Sequence, residues 1–385
     1  MASAIQFAPK ADDPTKVEFA KLLGDLRARR EEFQELRHIP QNIVDRFKTL
    51  GIYRGLVPEQ FGGAGWSARR FMEAIEAISA ADGSAGWVAS FGFATKYISS
   101  LPAETLAEIY ANGPDVVVAG AVFPPQEVEE LDGGYKVNGR WGFGSGCMCA
   151  DIIGVGIRVE GEKGGLPRMA WMPPGKVQID ENWNTMGMLG TGSHDLVVKD
   201  VVVPRHFTAI RGSAPTIDCP SYRYPSMAMA AQVLAVVGLG VAREAIDEVV
   251  SIATAKNSIT GAPMMANRPG FQIALAQMEA QLRSARAWFY EATDTVWDKA
   301  VSGAQITSED QGLLRIASTN AAKTGADVTR RAFELAGTTG IFAGHPLQRY
   351  LNDALVVAQH AFMNDGTWQA GGQALMGLDT PPGYP

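Results

Sequence analysis

Gly133-Gly-Tyr-Lys-Val-Asn-Gly-Arg-Trp141-Gly-Phe143-Gly-Ser145-Gly146 reads as strand in a chain otherwise written in helical periods. Asp132-Gly133-Gly134 before it is a hairpin signal. Nearby, Val116-Val-Val-Ala119, Ile152-Ile-Gly-Val-Gly-Ile-Arg-Val159 and Leu196-Val-Val-Lys-Asp-Val-Val-Val-Pro204 are β-branched runs punctuated by glycine, as strands are. Short strands this close together predict a small barrel or sandwich over residues 115–215.

Outward from this block the period changes. Val17-Glu-Phe-Ala-Lys-Leu-Leu23, Asn42-Ile-Val-Asp-Arg-Phe-Lys-Thr-Leu50 and residues 69–81 repeat apolar side chains every three or four positions, so residues 1–114 are expected to be helical. Leu56-Val-Pro-Glu-Gln-Phe-Gly-Gly-Ala-Gly65 is a turn-rich loop between them. Beyond the strands, 271–301, 308–336 and 346–364 read as long helices. With the uncharged stretch 224–242 they predict a four-helix bundle over 216–385. The stretch 224–242 holds Pro225, Gln232 and many small residues, which favours a buried bundle helix over a membrane span.

Hydrophobic residues make up 46% of the 385 and charged ones 19%, an ordinary globular balance with ample core. A net charge of −7 without a basic run argues against nucleic-acid binding. Cys147, Cys149 and Cys219 are too few for a disulfide framework, and no secretory signal is visible, so a cytoplasmic location is expected. His38, His194, His206 and His345 are scattered and have no metal-ligand spacing, so no metal is expected; His194 draws attention because it adjoins Ser193.

The last long helix reads Arg349-Tyr-Leu-Asn-Asp353-Ala-Leu-Val-Val-Ala-Gln-His360-Ala361. Helical spacing predicts Arg349, Asp353 and His360 on one face, presenting an imidazole beside a charged pair. A satisfied core histidine is the other reading.

A helical segment, a β segment and a bundle, in this order and over this length, resemble the acyl-CoA dehydrogenase superfamily. Pro58-Glu-Gln-Phe-Gly-Gly-Ala-Gly65 is similar to its first-domain loop. Gly187-Met-Leu-Gly-Thr-Gly-Ser193, followed by Val201-Val-Val-Pro204, is similar to its closing barrel strands. Leu335-Ala-Gly337-Thr338-Thr-Gly340 is similar to the glycine-rich turn before its last helix. The resemblance covers nearly the whole chain and implies a mainly α fold with a central β-barrel. It also implies a homotetramer in which neighbours complete a flavin site.

Dehydrogenases of this fold often carry a glutamate eight residues after the aspartate of an Arg-Asp-Ala motif; counting from Asp353-Ala354 that position is Ala361, and the carboxylate base is missing. Trp141-Gly-Phe143-Gly-Ser145-Gly146 instead resembles the two-component flavin monooxygenases of the superfamily, whose serine lies near flavin N5. In that branch reduced FMN or FAD, supplied by a separate NAD(P)H-flavin reductase, reacts with O2 to a C4a-(hydro)peroxide that hydroxylates a small aromatic or heteroaromatic substrate.

The resemblance then implies Ser145 and His360 as catalytic residues. Histidine suits proton or hydrogen-bond work because its ordinary pKa lies near neutrality. Trp141, Phe143, Ser145, Trp183, Thr191 and Ser193 are flavin-side candidates, with Arg268 toward its phosphate and Gly337 and Thr338 of the glycine-rich turn as further cofactor-side residues. Ser145 reads alternatively as a plain turn hydroxyl, Trp183 as core and Arg268 as a surface arginine. Trp87, Phe91, Phe93 and His360 are the substrate-side candidates; Ser90 and Lys96 are polar groups available in the same stretch.

Two alternatives remain: an acyl-CoA dehydrogenase with a displaced base, and a non-catalytic flavin-binding or assembly protein. Gly238-Leu-Gly240-Val-Ala-Arg243 follows no strand and reads as helix packing rather than dinucleotide binding. Gly366 is expected to end the last helix.

Overall fold

The structure, a computed structural model, describes residues 14–162, 165–255, 263–342 and 344–381. Seven helices come first: α1 (Pro14–Ala28), α2 (Arg30–Leu36), α3 (Gln41–Thr49), α4 (Ala68–Ala81), α5 (Gly83–Ser90), α6 (Thr95–Ile98) and α7 (Ala103–Ile109). Ser67 starts α4 by accepting the Arg70 N–H, and Asp82 starts α5 by accepting that of Ala85.

Eight strands follow: β1 (Val118–Glu127), β2 (Glu129–Leu131), β3 (Gly134–Gly144), β4 (Ile152–Arg158), β5 (Arg168–Met172), β6 (Gln178–Asp180), β7 (His194–Pro204) and β8 (Thr208–Ile210). They form two four-stranded sheets, β1-β4-β5-β8 and β2-β3-β7-β6. Among the described residues no closed barrel forms, which corrects the barrel and leaves the sandwich alternative. Within the first sheet the pairing of β1 with β4 lapses between Ala121 and Gln126, where Pro124 and Pro125 have no N–H to give a ladder. The two sheets instead close on each other through one apolar layer: Ala119, Val155 and Ala170 from the first meet Val137, Trp141 and Leu196 from the second.

The remaining helices are α8 (Pro220–Arg223), α9 (Ser226–Ala255), α10 (Pro269–Ser302), α11 (Ser308–Ala336), α12 (Pro346–Gln359) and α13 (Asp365–Leu375). A reciprocal capping box of Thr307 and Asp310 starts α11. α9 is long and apolar enough to cross a bilayer, yet 83% of that apolar window is buried inside the protein. Gly238 and Gly240 are packing glycines in it, as expected. A Cβ on Gly240 would stand 2.4 Å from the Glu76 carbonyl of α4, and one on Gly325 of α11 would meet the Gly238 carbonyl at 2.7 Å. One core therefore joins helices from both ends of the chain.

The expected helix over 346–364 ends early. It stops at Gln359, a short 3-10 turn covers Ala361–Met363, and Asn364 caps a new helix by accepting the Thr367 N–H. Gly366 thus lies in the first turn of α13 and does not end a helix.

Candidate functional site

Trp141 and Phe143 sit two residues apart on β3, yet they point to different places. Trp141 is fully buried between the sheets and gives its indole N–H to the Gly156 carbonyl at 2.8 Å. It is core, which corrects its assignment to the flavin wall. Between Trp141 and Gly144 the ladder with β7 slips, and Phe143 takes φ = 65°. That bulge turns the Phe143 ring outward, leaving it 74% exposed and edge-on to Trp183 at 6.0 Å.

Trp183 stands between β6 and β7, and Thr191 and Ser193 stand on the segment entering β7. Three hydrogen bonds fix Trp183. Its amide donates to His194 Nδ1 at 3.1 Å, its carbonyl accepts from Arg37 at 3.0 Å, and its indole donates to the Met188 carbonyl at 3.0 Å. His194 thereby helps hold the Trp183 backbone; its Nε2 is buried without a partner. The Met188 carbonyl also accepts from Thr191 Oγ1 at 2.8 Å, while the Met188 amide donates to Asp353 at 2.6 Å. Met188, at φ = 54°, is the hub of this segment, and no pattern in the sequence marks it.

Three hydroxyls bury together behind Phe143. Ser145 and Ser193 lie 2.6 Å apart, Ser193 and Thr191 2.7 Å, and Trp87 Nε1 donates to Ser145 Oγ at 3.3 Å. Each hydroxyl owns one proton. Since that of Thr191 goes to the Met188 carbonyl, Ser193 must donate to Thr191 and Ser145 to Ser193. Ser145 keeps one free lone pair.

His360 packs its ring 5.8 Å from Trp87 and 5.0 Å from Phe362. It is the residue at which α12 stops, so it does not share a face with Asp353, which turns to Met188 instead. Its Nδ1 accepts the Phe362 N–H at 3.2 Å, placing the ring proton on Nε2. Burial, aided by the nearby charges of Arg211 and Arg315, pushes its pKa down to about 4, so the imidazole is neutral. Ala361 is the first residue of the 3-10 turn, and no carboxylate occupies that position.

The remaining candidates divide. Phe91 and Phe93 lie 6.3 Å apart, with Phe93 buried against Tyr97. Ser90 donates to the Trp87 carbonyl, and Lys96 is tied down by the Ser221 and Tyr222 carbonyls. Neither is available to a substrate. Arg268 lies exposed at the start of α10, donating to the Pro263 carbonyl; Gly337 (φ = 55°) and Thr338 lie exposed at the end of α11. Among the described residues no contact joins these three to the serine cluster. Arg211 and Phe362, which border His360, escaped the sequence reading.

An isoalloxazine needs a flat apolar wall with a polar group at its edge. Phe143 braced by Trp183, with the Ser145 hydroxyl two residues further along the chain, supplies groups of both kinds.

The chain matches the family description "Acyl-CoA dehydrogenase, N-terminal domain" over residues 21–110 and "Acyl-CoA dehydrogenase, C-terminal domain" over residues 232–365. It is 52% identical to the indole-3-acetate monooxygenase of Pseudomonas putida, covering 93% of this chain and 92% of that one. It is 27% identical to the FADH(2)-dependent resorcinol hydroxylase, oxygenase component, of Rhizobium sp., covering 93% of each. Among solved structures it is similar to the 3-HSA hydroxylase from Rhodococcus sp. RHA1, with a TM-score of 0.89, 26% identity, and coverage of 97% of this chain and 99% of that one. The bulged β3 followed by the buried Ser145, the missing carboxylate at position 361 and these similarities converge: the chain belongs to the acyl-CoA dehydrogenase superfamily and, within it, to the flavin-dependent monooxygenases that act as oxygenase components.

Proposed function

We propose that the protein hydroxylates a small aromatic or heteroaromatic ring, with Ser145 and His360 as its catalytic residues. Indole-3-acetate, named for the Pseudomonas putida relative, is the first substrate to assay. Reduced FMN or FAD, delivered by a separate NAD(P)H-dependent reductase, supplies the two electrons that activate O2.

The observation that carries this reading is the one-way line of protons from Trp87 through Ser145 and Ser193 to Thr191 and the Met188 carbonyl. With its proton spent on Ser193, Ser145 meets a flavin as an acceptor, suited to a protonated N5. Phe143, Trp183, Thr191 and Ser193 would hold the ring, Arg268 remains the candidate for its phosphate, and Gly337 and Thr338 remain cofactor-side candidates. Trp87, Phe91, Phe93 and His360 would face the substrate and keep water from it. His360, neutral and protonated on Nε2, donates a hydrogen bond there instead of removing a proton.

A homotetramer is part of the proposal. Ile341 and Phe342, 64% and 70% exposed, with Met376 at 68%, leave apolar surface for a second copy to cover. The thiols of Cys147, Cys149 and Cys219 are free, which suits a cytoplasmic location.

The test mixes the protein with photoreduced FMN or FAD and indole-3-acetate, then adds 18O-labelled O2. One labelled oxygen in the product is expected. Quantitative hydrogen peroxide with no labelled product, for this acid and for a panel of phenols and indoles, would refute the oxygenase reading.

A further inference from the structure

We propose that Arg211 binds a carboxylate on the substrate, so that the compound oxidised is an aromatic ring bearing an acidic side chain, an arylacetate-type monoanion. This rests on the function proposed above and names its substrate class.

Arg211 follows β8 and reaches across to two other parts of the fold. Its guanidinium lies 4.9 Å from the Tyr97 ring centroid of α6 and 5.8 Å from that of Phe362, next to His360. Of five N–H donors, one hydrogen bond is made, to the Tyr97 hydroxyl at 3.1 Å. Nε is buried with no partner, and among the described residues no carboxylate pairs with Arg211. A second cation, Arg315, is 1% exposed and lies 5.1 Å from the same Phe362 ring, donating to Thr367. The adjacent His360 is neutral. The Arg211 guanidinium, set against the Phe362 ring with a buried donor left over, forms a site that an anion completes.

The position decides which anion. Ser145 touches Trp87, Trp87 stacks toward His360, His360 toward Phe362, and Phe362 lies beneath Arg211. The oxygenating end and the cationic end thus terminate a single row of aromatic side chains. A flat ring along that row, with its carboxylate in the Arg211 fork, satisfies both ends; a guanidinium grips a carboxylate through two parallel bonds.

Calorimetric titration of the full-length protein with indole-3-acetate and with neutral indole-3-acetamide tests this without turnover. Wild type is expected to bind the acid about 20-fold or more tightly than the amide, the scale of a lost charge-assisted hydrogen bond. Arg211→Gln should erase the preference, and Arg211→Lys, which keeps charge but loses the fork, should retain only part of it. Equal binding of acid and amide by wild type, no measurable binding of the acid, or a preference that survives Arg211→Gln would overturn the assignment. Should Arg211→Gln not fold, the wild-type ratio and the Arg211→Lys variant decide the matter. Turnover is measured separately, so a failure of oxygenation strikes the functional reading while the binding ratio still judges Arg211.

Discussion

His360 shows how much one hydrogen bond decides. The Phe362 amide occupies Nδ1, so the proton resides on Nε2, and a pKa of about 4 removes the positive form at neutral pH. Because the folded pKa is depressed, the unfolded chain binds more protons between about pH 6.5 and pH 4, and His360 costs stability only as pH falls through that window. At higher pH its role is constant. His360→Ala is therefore expected to spare flavin oxidation but to divert it, releasing hydrogen peroxide in place of product. The wild-type ratio of product to peroxide should stay flat from about pH 5.5 to pH 8. A sigmoidal change in that ratio near pH 6.5, absent in His360→Asn, would mean that the imidazole titrates and acts as a base.

At the scale of elements, the break between α12 and α13 and the 187–193 segment work as a pair. Asp353, midway along α12, is 4% exposed and holds the Met188 amide, and Met188 in turn holds Trp183 and Thr191. Burial, reinforced by the neighbouring Asp82 carboxylate, raises the Asp353 pKa to about 7. The sign follows from proton counting. Between about pH 4 and pH 7 the folded protein binds the extra proton, so stability declines as pH rises through that interval. Asp353→Asn keeps an acceptor for Met188 and abolishes the titration. Urea midpoints measured from pH 5 to pH 7.5 should fall with pH in wild type and fall less in Asp353→Asn; parallel curves would show that Asp353 is ionised throughout. Helix periodicity was enough to find α4, α10 and α11, because their apolar positions repeat without interruption. It overran Gln359, because Ala361-Phe362-Met363 continues the apolar pattern while the Asn364 cap competes for the backbone.

For the whole molecule, the decisive feature is that a first-domain helix, two strands and the tail of a bundle helix supply the same cluster. Trp87, Ser145, Ser193 and His360 come within hydrogen-bond or ring contact across 273 residues of sequence only because α5 and α12, packed in the helical core, meet the ends of β3 and β7, which pack in the core between the sheets. The exposed apolar residues speak to a level above that. Phe342→Glu places a charge on the surface proposed for a neighbouring copy, so light scattering after gel filtration should show tetramer giving way to smaller species. A wild-type monomer at micromolar concentration, or an unchanged assembly in Phe342→Glu, would remove this surface from the interface.

By itself the sequence determined the order of helix, strand and helix, the oxygenase-type stretch from Trp141 to Gly146, and the absence of a carboxylate at position 361. These are local properties, carried by side-chain period, turn residues and residue identity. Only the tertiary structure decided that Trp141 is core while Phe143 is surface, since one positive-φ residue in a slipped ladder reverses an alternation that the letters preserve. It alone decided the direction of the serine protons, the tautomer of His360 and the place of Arg211. Each of these depends on which distant backbone group or ring fills a lone pair or faces a charge, and such partners are brought together by packing, not by spacing along the chain.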